Sequence, residues 1–185
     1  VQPSLLKMKL QDQERHPFIR ALGGGDGGVE RIFDATLGLA ADAMHAACVL
    51  GCEVIGTEAN PVLYSLLEEG IARLAMGEPR IARIAPRCAE ATAELALLPE
   101  GAVDVVMLDP MMVRPKRSTP SFLVLRDFAR AERADAALLN EALRVARRRV
   151  VLKLGKGAPL PPGAPYPFPR VERGGAVSYW AHDKP

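Results

Sequence analysis

An acidic side chain follows a glycine turn at a spacing that suits nucleotide binding. Residues 32–42 read IFDATLGLAAD, an apolar strand that leads through Gly38 into a helix. Glu58 lies twenty residues after Gly38. At that separation, a carboxylate at the end of a second strand can reach the ribose hydroxyls of a nucleotide held at the first turn. The pattern therefore predicts that Glu58 binds a ribose.

The glycine content of this turn restricts which nucleotide it can hold. A dinucleotide site carries the pattern G-x-G-x-x-G, whereas Gly38 is followed by Leu39, Ala40 and Ala41. S-adenosyl-L-methionine carries no phosphate and needs one tight turn, a carboxylate near its amino acid end and another for its ribose. The turn therefore favours S-adenosylmethionine over a nicotinamide dinucleotide.

Length and composition limit the class of protein. A chain of 185 residues is long enough for one domain with a full core and too short for two enzyme-sized domains. We predict no membrane span, because no apolar run approaches the roughly 18 residues that cross a bilayer. The net charge of +2 means that any nucleic-acid affinity must come from a local basic patch. Cys48, Cys52 and Cys88 match no zinc spacing, which favours reduced thiols, no bound metal and a cytoplasmic location.

Strand-like and helix-like segments alternate along the chain, which predicts a mostly parallel sheet with helices on both faces. The strongest strand pattern is the apolar, β-branched run 103–108. The predicted strands cover residues 32–35, 53–57, 80–85, 103–108 and 149–154, and the predicted helices cover residues 40–50, 61–76, 89–98 and 121–147. A basic cluster lies near the end of the last predicted helix, where the helix dipole is predicted to stabilise its positive charge. The cluster comprises Arg144, Arg147, Arg148 and Arg149.

The two ends of the chain differ from this central pattern. Residues 1–30 are predicted to form a leader with a flexible glycine-rich linker over residues 23–28. Within the leader, residues 16–18 either start a helix, which is the favoured interpretation, or cover the cofactor or the target base. The linker lacks the Gly-Lys-Ser/Thr ending of a phosphate-binding loop. Near the C-terminus, the dipeptide Gly174-Gly175 separates two strand-like segments and predicts a hairpin. A parallel sheet that ends in an antiparallel pair is the architecture expected of class I methyltransferases, so we assign residues 31–185 to one such domain.

Residues that suit nitrogen chemistry follow the buried strand 103–108. This strand leads directly into Asp109 and Pro110, at the strand end where open α/β sheets bind ligands. An exocyclic amine is a poor nucleophile because its lone pair is delocalised into the ring. Hydrogen bonds from its N–H groups to the Asp109 carboxylate and the Pro110 carbonyl would orient the lone pair and stabilise the charge that develops on nitrogen. The alternative is an ordinary turn, since aspartate and proline both favour turns.

Four sequence motifs, in order, resemble those of one known family. Residues 34–43 read DATLGLAADA, residues 58–61 read EANP, Asp109 begins the sequence Asp-Pro-Met, and Lys153 ends a strand. These motifs resemble the small-subunit ribosomal RNA guanine-N2 methyltransferases of the methyltransferase J type, and the resemblance extends from the first motif to the C-terminus. It implies a Rossmann-like class I fold with a mostly parallel seven-stranded sheet, helices on both faces and a C-terminal antiparallel hairpin.

The resemblance also implies roles for particular residues. The S-adenosylmethionine site would comprise Asp34, Gly38, Ala41, Asp42, Glu58, Ala59, Cys88, Ala89 and Asp109. The catalytic residues would be Asp109, Pro110, Met111 and Met112. From their positions, Arg114, Lys116 and Arg117 in the loop after this motif could contact RNA phosphates together with Ser118 and Lys153, and the alternative is a solvated loop.

The chain departs from the family pattern at two places. Met112 and Val113 stand where the family usually has an aromatic residue and a proline, and Ala41 stands where an arginine is common. An aromatic side chain would stack on a flipped-out base, whereas methionine packs against a ring through its polarizable sulfur and holds it less rigidly.

Three functions are compatible with these residues. The leading hypothesis is a cytoplasmic enzyme that methylates the exocyclic N2 of a guanosine in 16S ribosomal RNA, with ribosomal RNA or the small ribosomal subunit as its partner. A second hypothesis is a methyltransferase for another nitrogen acceptor or a small molecule, which the missing aromatic side chain at Met112 favours. The third is a catalytically silent RNA-binding or assembly protein with the same fold.

Overall fold

The computed structural model describes residues 15–110 and 134–185, which contain seven strands and five α-helices. The strands are β1 (Arg31–Asp34), β2 (Glu53–Thr57), β3 (Ile84–Arg87), β4 (Val103–Leu108), β5 (Ala146–Gly155), β6 (Arg170–Arg173) and β7 (Val177–Asp183). The helices are α1 (Pro17–Leu22), α2 (Ala41–Leu50), α3 (Pro61–Ala75), α4 (Ala91–Leu97) and α5 (Ala136–Val145), with a 3₁₀ helix at Pro79–Arg83. No helix within these two ranges combines the length and the apolar character that crossing a bilayer requires.

The seven strands form one sheet in the order β3-β2-β1-β4-β5-β7-β6. The strands from β3 to β5 pair in parallel, whereas β7 pairs antiparallel with both β5 and β6. In this register, Asp34 of β1 lies beside Met107 of β4, and Lys153 of β5 lies beside Tyr179 of β7. The predicted mostly parallel seven-stranded sheet with a C-terminal antiparallel hairpin is confirmed.

Alternating side chains along the strands build a hydrophobic core on each face of the sheet. In β1, Ile32 belongs to one core and Phe33 to the other, because successive side chains of a strand point to opposite faces. Helices α1, α2 and α3 contribute to the first core, which contains Met44. Helices α4 and α5 contribute to the second core, which contains Leu139. The predicted helices on both faces are therefore confirmed.

The segment before β1 packs against the sheet. His16 caps α1 by accepting a hydrogen bond from the backbone N–H of Phe18, so the predicted helix start is confirmed. Phe18 is buried in the first core. From β5, the guanidinium of Arg149 donates to the carbonyl of Ala21 and to the carboxylate of Asp26 within the glycine-rich segment. These contacts attach α1 and the glycine-rich segment to the sheet, and the boundary between leader and domain stays a prediction.

The third strand begins later than predicted. Residues 80–83, predicted as part of a strand, belong instead to the 3₁₀ helix. Glu78 accepts a hydrogen bond from the backbone N–H of Arg80, and Pro79 fixes a helical φ angle, so the chain turns before it becomes extended. Strand β3 follows this turn.

The arginine cluster lies mainly in a strand and not at the end of a helix, where it was predicted. Helix α5 ends at Val145, and β5 begins at the next residue. In β5, Arg147 binds the buried carboxylate of Asp104 on β4, and Arg149 binds Asp183 on β7. Carboxylates on the two neighbouring strands thus provide partners for the arginines of the extended chain.

Replacing Gly56 with alanine is expected to destabilise the protein by about 1–3 kcal/mol. A Cβ atom at this position in β2 would lie 2.7 Å from Leu37 Cδ1, so the buried side chain of Leu37 would have to move within the core. Chemical denaturation measures the free energy of unfolding. Gly175→Ala is the control, because a Cβ atom there would have no neighbour within 4 Å. Equal stability of the two variants would contradict this prediction.

Candidate active site

Charged side chains gather at the carboxyl edge of the parallel strands. Asp34 is the last residue of β1, and Glu58 and Asp109 follow β2 and β4. Lys153 lies near the end of β5. Because these strands are parallel, their carboxyl ends meet at the same edge of the sheet. Open α/β sheets bind their ligands at this edge.

The turn after β1 is held in a compact shape by β2. The backbone N–H of Leu37 donates to the carbonyl of Thr57, and the Thr57 hydroxyl donates to the carbonyl of Ala35. Gly38 and Ala40 adopt positive φ angles of 51° and 56°. A left-handed alanine is strained, and such strain is concentrated at binding sites. The chain thus reverses within a few residues and enters α2.

Asp34 is a buried carboxylate at the centre of this edge. Its Oδ1 accepts a hydrogen bond from the backbone N–H of Thr36 at 3.0 Å. Its pKa is raised from 3.8 to about 7, chiefly by burial, which outweighs the Thr36 hydrogen bond. The nearby carboxylates of Asp42 and Asp109 raise this pKa as well. An ionised Asp34 is therefore costly unless a cation binds beside it.

Lys153 joins two further carboxylates across the site. Its Nζ donates to Asp42 Oδ2 and to Asp109 Oδ2, at 2.6 Å each. Burial alone would lower the pKa of Lys153, but the two carboxylates raise it above its ordinary value, so the ammonium stays charged. Burial also raises the pKa of Tyr179, which lies beside Lys153 on β7. We predicted Lys153 as an RNA contact from the sequence, whereas the structure shows its ammonium bound by two carboxylates.

Glu58 lies against the glycine turn, twenty residues after Gly38. Its carboxylate accepts hydrogen bonds from the backbone N–H groups of Asn60, at 2.8 Å, and of Gly38. Burial raises the pKa of this carboxyl, and the two N–H groups oppose that shift. Cys88 and Ala89 follow β3 at the neighbouring strand end, and Cys88 is exposed and not a core residue. The turn and the acidic residue predicted to serve one nucleotide are thus in direct contact.

The structure covers part of the predicted site. At the carboxyl edge it places Asp34, Gly38, Ala41, Asp42, Glu58, Ala59, Cys88, Ala89, Asp109, Pro110 and Lys153. The remaining predicted residues, Met111, Met112, Arg114, Lys116, Arg117 and Ser118, lie outside the described residues. Within the part of the chain that is described, no group of three or more His, Cys, Asp or Glu side chains could hold a metal ion.

Thr36 is a site residue that its sequence position alone did not indicate. Its hydroxyl oxygen accepts a hydrogen bond from the backbone N–H of Asp109 at 2.7 Å. This bond connects the end of β4 to the turn after β1. The Thr36 hydroxyl, two residues after the end of β1, could have indicated a site residue. Its partner could not be predicted, because the contact depends on β4 lying beside β1.

The side chains at this edge suit S-adenosylmethionine, which carries an ammonium group, a sulfonium and a ribose. Two carboxylates, Asp42 and Asp109, bind the ammonium of Lys153, and the buried carboxyl of Asp34 lies near all three groups. Acidic groups therefore outnumber the one ammonium, so the site favours a cationic ligand. Asp34 and Asp42 would hold the ligand ammonium group, and Glu58 would hold the ribose hydroxyls. The donor set therefore fits this cofactor.

The chain matches a family of known proteins and a solved structure. Residues 5–164 match the family model described as "Putative SAM-dependent methyltransferase". The crystal structure of a SAM-dependent methyltransferase from Neisseria gonorrhoeae superposes with a TM-score of 0.73 at 23% identity, and the match covers 98% of this chain and 72% of that one. This similarity establishes the fold as that of class I methyltransferases.

Curated relatives also match over most of the chain. Uncharacterized protein YpiP from Bacillus subtilis is 34% identical over 146 residues, with 76% of this chain and 56% of the relative covered. Ribosomal RNA small subunit methyltransferase J from Desulfotalea psychrophila is 33% identical over 158 residues, with 78% of this chain and 57% of the relative covered. The chain therefore spans little more than half the length of these relatives.

Proposed function

Because this chain belongs to the SAM-dependent methyltransferase family, we propose that it transfers a methyl group from S-adenosylmethionine to the exocyclic N2 of a guanosine in small-subunit ribosomal RNA. S-adenosylmethionine is the cofactor of that family, in agreement with the prediction from the glycine turn. The similarity to a relative named ribosomal RNA small subunit methyltransferase J supports the RNA acceptor. The partner is then ribosomal RNA or the small ribosomal subunit, and the location is the cytoplasm.

The position of Asp109 and Pro110 is the observation that carries this proposal. Both residues follow β4 at the carboxyl edge of the sheet. The Asp109 carboxylate shares the Lys153 ammonium with Asp42, a predicted cofactor residue. With 44% of its side chain exposed, Asp109 is accessible to an incoming amine. An amine bound by Asp109 would therefore lie beside the cofactor site.

The proposed mechanism relies on orientation and charge. S-adenosylmethionine, when bound, supplies a methyl group on a sulfonium. The Asp109 carboxylate and the Pro110 carbonyl accept hydrogen bonds from the two N–H groups of the amine. These bonds direct the nitrogen lone pair and stabilise the positive charge that develops on nitrogen. The Asp109 carboxylate would accept the proton that the methylated nitrogen releases.

Glu58→Ala is expected to weaken S-adenosylmethionine binding roughly 10- to 100-fold, because a carboxylate that accepts hydrogen bonds from the ribose is lost. Titration calorimetry measures this affinity. The control is Glu53→Ala, which removes an exposed carboxylate at the other end of β2, where it pairs with Arg31. Wild-type affinity in Glu58→Ala would refute the ribose contact, and tighter binding of NAD than of S-adenosylmethionine would refute the cofactor.

The acceptor is identified by methylating small-subunit ribosomal RNA with S-adenosylmethionine that is isotopically labelled in its methyl group. Protein-free RNA and intact small subunits serve as parallel substrates. The RNA is digested to nucleosides, and mass spectrometry locates the label. Label in N2-methylguanosine is the expected result. Label in another nucleoside would replace the proposed acceptor, and no label with retained cofactor binding would favour a silent RNA-binding role.

A further inference from the structure

Lys153 connects the predicted cofactor side of the site to the predicted acceptor side. Asp42, in the first turn of α2, lies on the cofactor side, and Asp109, after β4, lies on the acceptor side. The side chains of Lys153 and Asp42 are 22% and 15% exposed, so their ion pair is largely shielded from water. One end of the lysine bridge is therefore firmly anchored.

Asp109 is held at two points. Its backbone N–H donates to the Thr36 hydroxyl, and its carboxylate accepts from Lys153. The Asp109 side chain is 44% exposed, so without the bond to Lys153 it could adopt several rotamers. A short bond between two charged groups is among the strongest hydrogen bonds in proteins and has a defined direction. Lys153 therefore selects one orientation of the group that would bind the amine.

Four structural elements contribute titratable groups around Lys153. These are Asp34 from β1, Asp42 from α2, Asp109 from β4 and Tyr179 from β7. Three of them are carboxylates, which repel one another when they are ionised. The lysine ammonium lies among them and reduces that repulsion. Removing it would favour protonation of the carboxylates.

We propose that Lys153 is a positioning residue for methyl transfer, which directs the Asp109 carboxylate at the amine while Asp42 holds Lys153 in place. This inference rests on the proposed function, in which Asp109 binds the amine. It differs from the RNA contact predicted from the sequence. A phosphate contact would act on RNA affinity, whereas a positioning residue acts on the rate of the chemical step.

The first test requires no acceptor. Aspartate labelled with ¹³C in its side-chain carboxyl group is incorporated into the wild-type chain and its variants, and Asp109→Asn identifies the Asp109 NMR signal. In Lys153→Met, that signal is expected to titrate about one pH unit or more above its wild-type position. Lys153→Arg keeps the positive charge and is expected to keep the wild-type titration.

Lys156→Met is the matched control for this titration. Lys156 is exposed and lies just beyond the end of β5, so its replacement should leave the Asp109 signal unchanged. An unchanged Asp109 titration in Lys153→Met would overturn the proposal, whatever the acceptor proves to be. If the wild-type chain methylates no RNA, the proposed function fails, and this titration still decides whether Lys153 holds the Asp109 carboxylate.

Kinetics provide the second test. In Lys153→Met, kcat is expected to fall roughly 100-fold while KM for RNA stays within about threefold, and Lys153→Arg is expected to recover part of the rate. The double variant with Asp109→Asn is expected to be no slower than Asp109→Asn alone, because the two residues act as a unit. Losses that multiply in the double variant, or a raised KM with an unchanged kcat, would overturn the proposal.

Discussion

Asp109→Asn is expected to slow methyl transfer roughly 10²–10³-fold, a much larger effect than on S-adenosylmethionine binding, to which Asp109 is one of several contributing carboxylates. Asparagine has the shape of aspartate but carries no charge to stabilise the nitrogen as it becomes positive. It also loses the ion pair with Lys153, which holds the side chain in one orientation. Single-turnover methylation measures the rate, and calorimetry measures cofactor affinity in the same preparation.

Asp26→Asn is a matched control for this experiment. The side chain of Asp26 is 45% exposed, almost the same as the 44% of Asp109, and each is paired with a basic residue of β5. Asp26 lies in the glycine-rich segment before β1, away from the carboxyl edge. A wild-type methylation rate in Asp109→Asn would refute the proposed role of this carboxylate, and equal losses in both variants would indicate a general effect on folding.

Asp34→Asn is expected to stabilise the fold by roughly 1–4 kcal/mol at pH 8. The same variant is expected to bind S-adenosylmethionine about tenfold more weakly, or weaker still. The pKa of Asp34 is raised by burial from 3.8 to about 7. The contribution of Asp34 to stability is therefore fully present below about pH 4, where its carboxyl is protonated in both the folded and the unfolded chain. It is lost as pH rises through about 7, where the carboxyl of the folded chain ionises. Asp34→Asn removes this pH-dependent loss of stability. It also removes the negative charge that would hold the cofactor ammonium group.

Urea denaturation at pH 5 and at pH 8 tests the stability part of this prediction. The gain in the free energy of unfolding in Asp34→Asn should be roughly 2–3 kcal/mol larger at pH 8 than at pH 5. Glu100→Gln, at a side chain that is 75% exposed, should change the free energy of unfolding by less than about 0.5 kcal/mol at either pH. An equal gain in the free energy of unfolding at both pH values in Asp34→Asn would show that burial does not raise the pKa of this carboxyl.

Local patterns in the sequence were sufficient to predict most of the sheet. Strand β4 matches its predicted range 103–108 to the residue, because an apolar, β-branched run can be buried on both faces. Helix α3 begins at Pro61, as predicted, since Asn60 accepts hydrogen bonds from the first backbone N–H groups and proline suits the first turn. The contact between Gly38 and Glu58 also agrees with their spacing.

Partners that come from distant parts of the chain could not be predicted in this way. Lys153 binds a carboxylate 111 residues earlier in the chain, at Asp42, and another 44 residues earlier, at Asp109. Both contacts require the positions of α2 and β4 relative to β5. Arg147 was misplaced for the same reason, because its partner Asp104 lies on another strand. Helix and strand periodicity contains no information on these pairings.

The central position of β1 and β4 also has a consequence for the order of folding during synthesis. Strand β1 lies between β2 and β4, and Asp104 of β4 accepts hydrogen bonds from the backbone N–H groups of Glu30 and Arg31, more than 70 residues earlier. Strands β1 to β3 are therefore synthesised before β4, the strand that completes the middle of the sheet. Contacts between residues so far apart in the chain slow folding. Cofactor binding at the edge where β1 and β4 meet would stabilise the finished domain against unfolding.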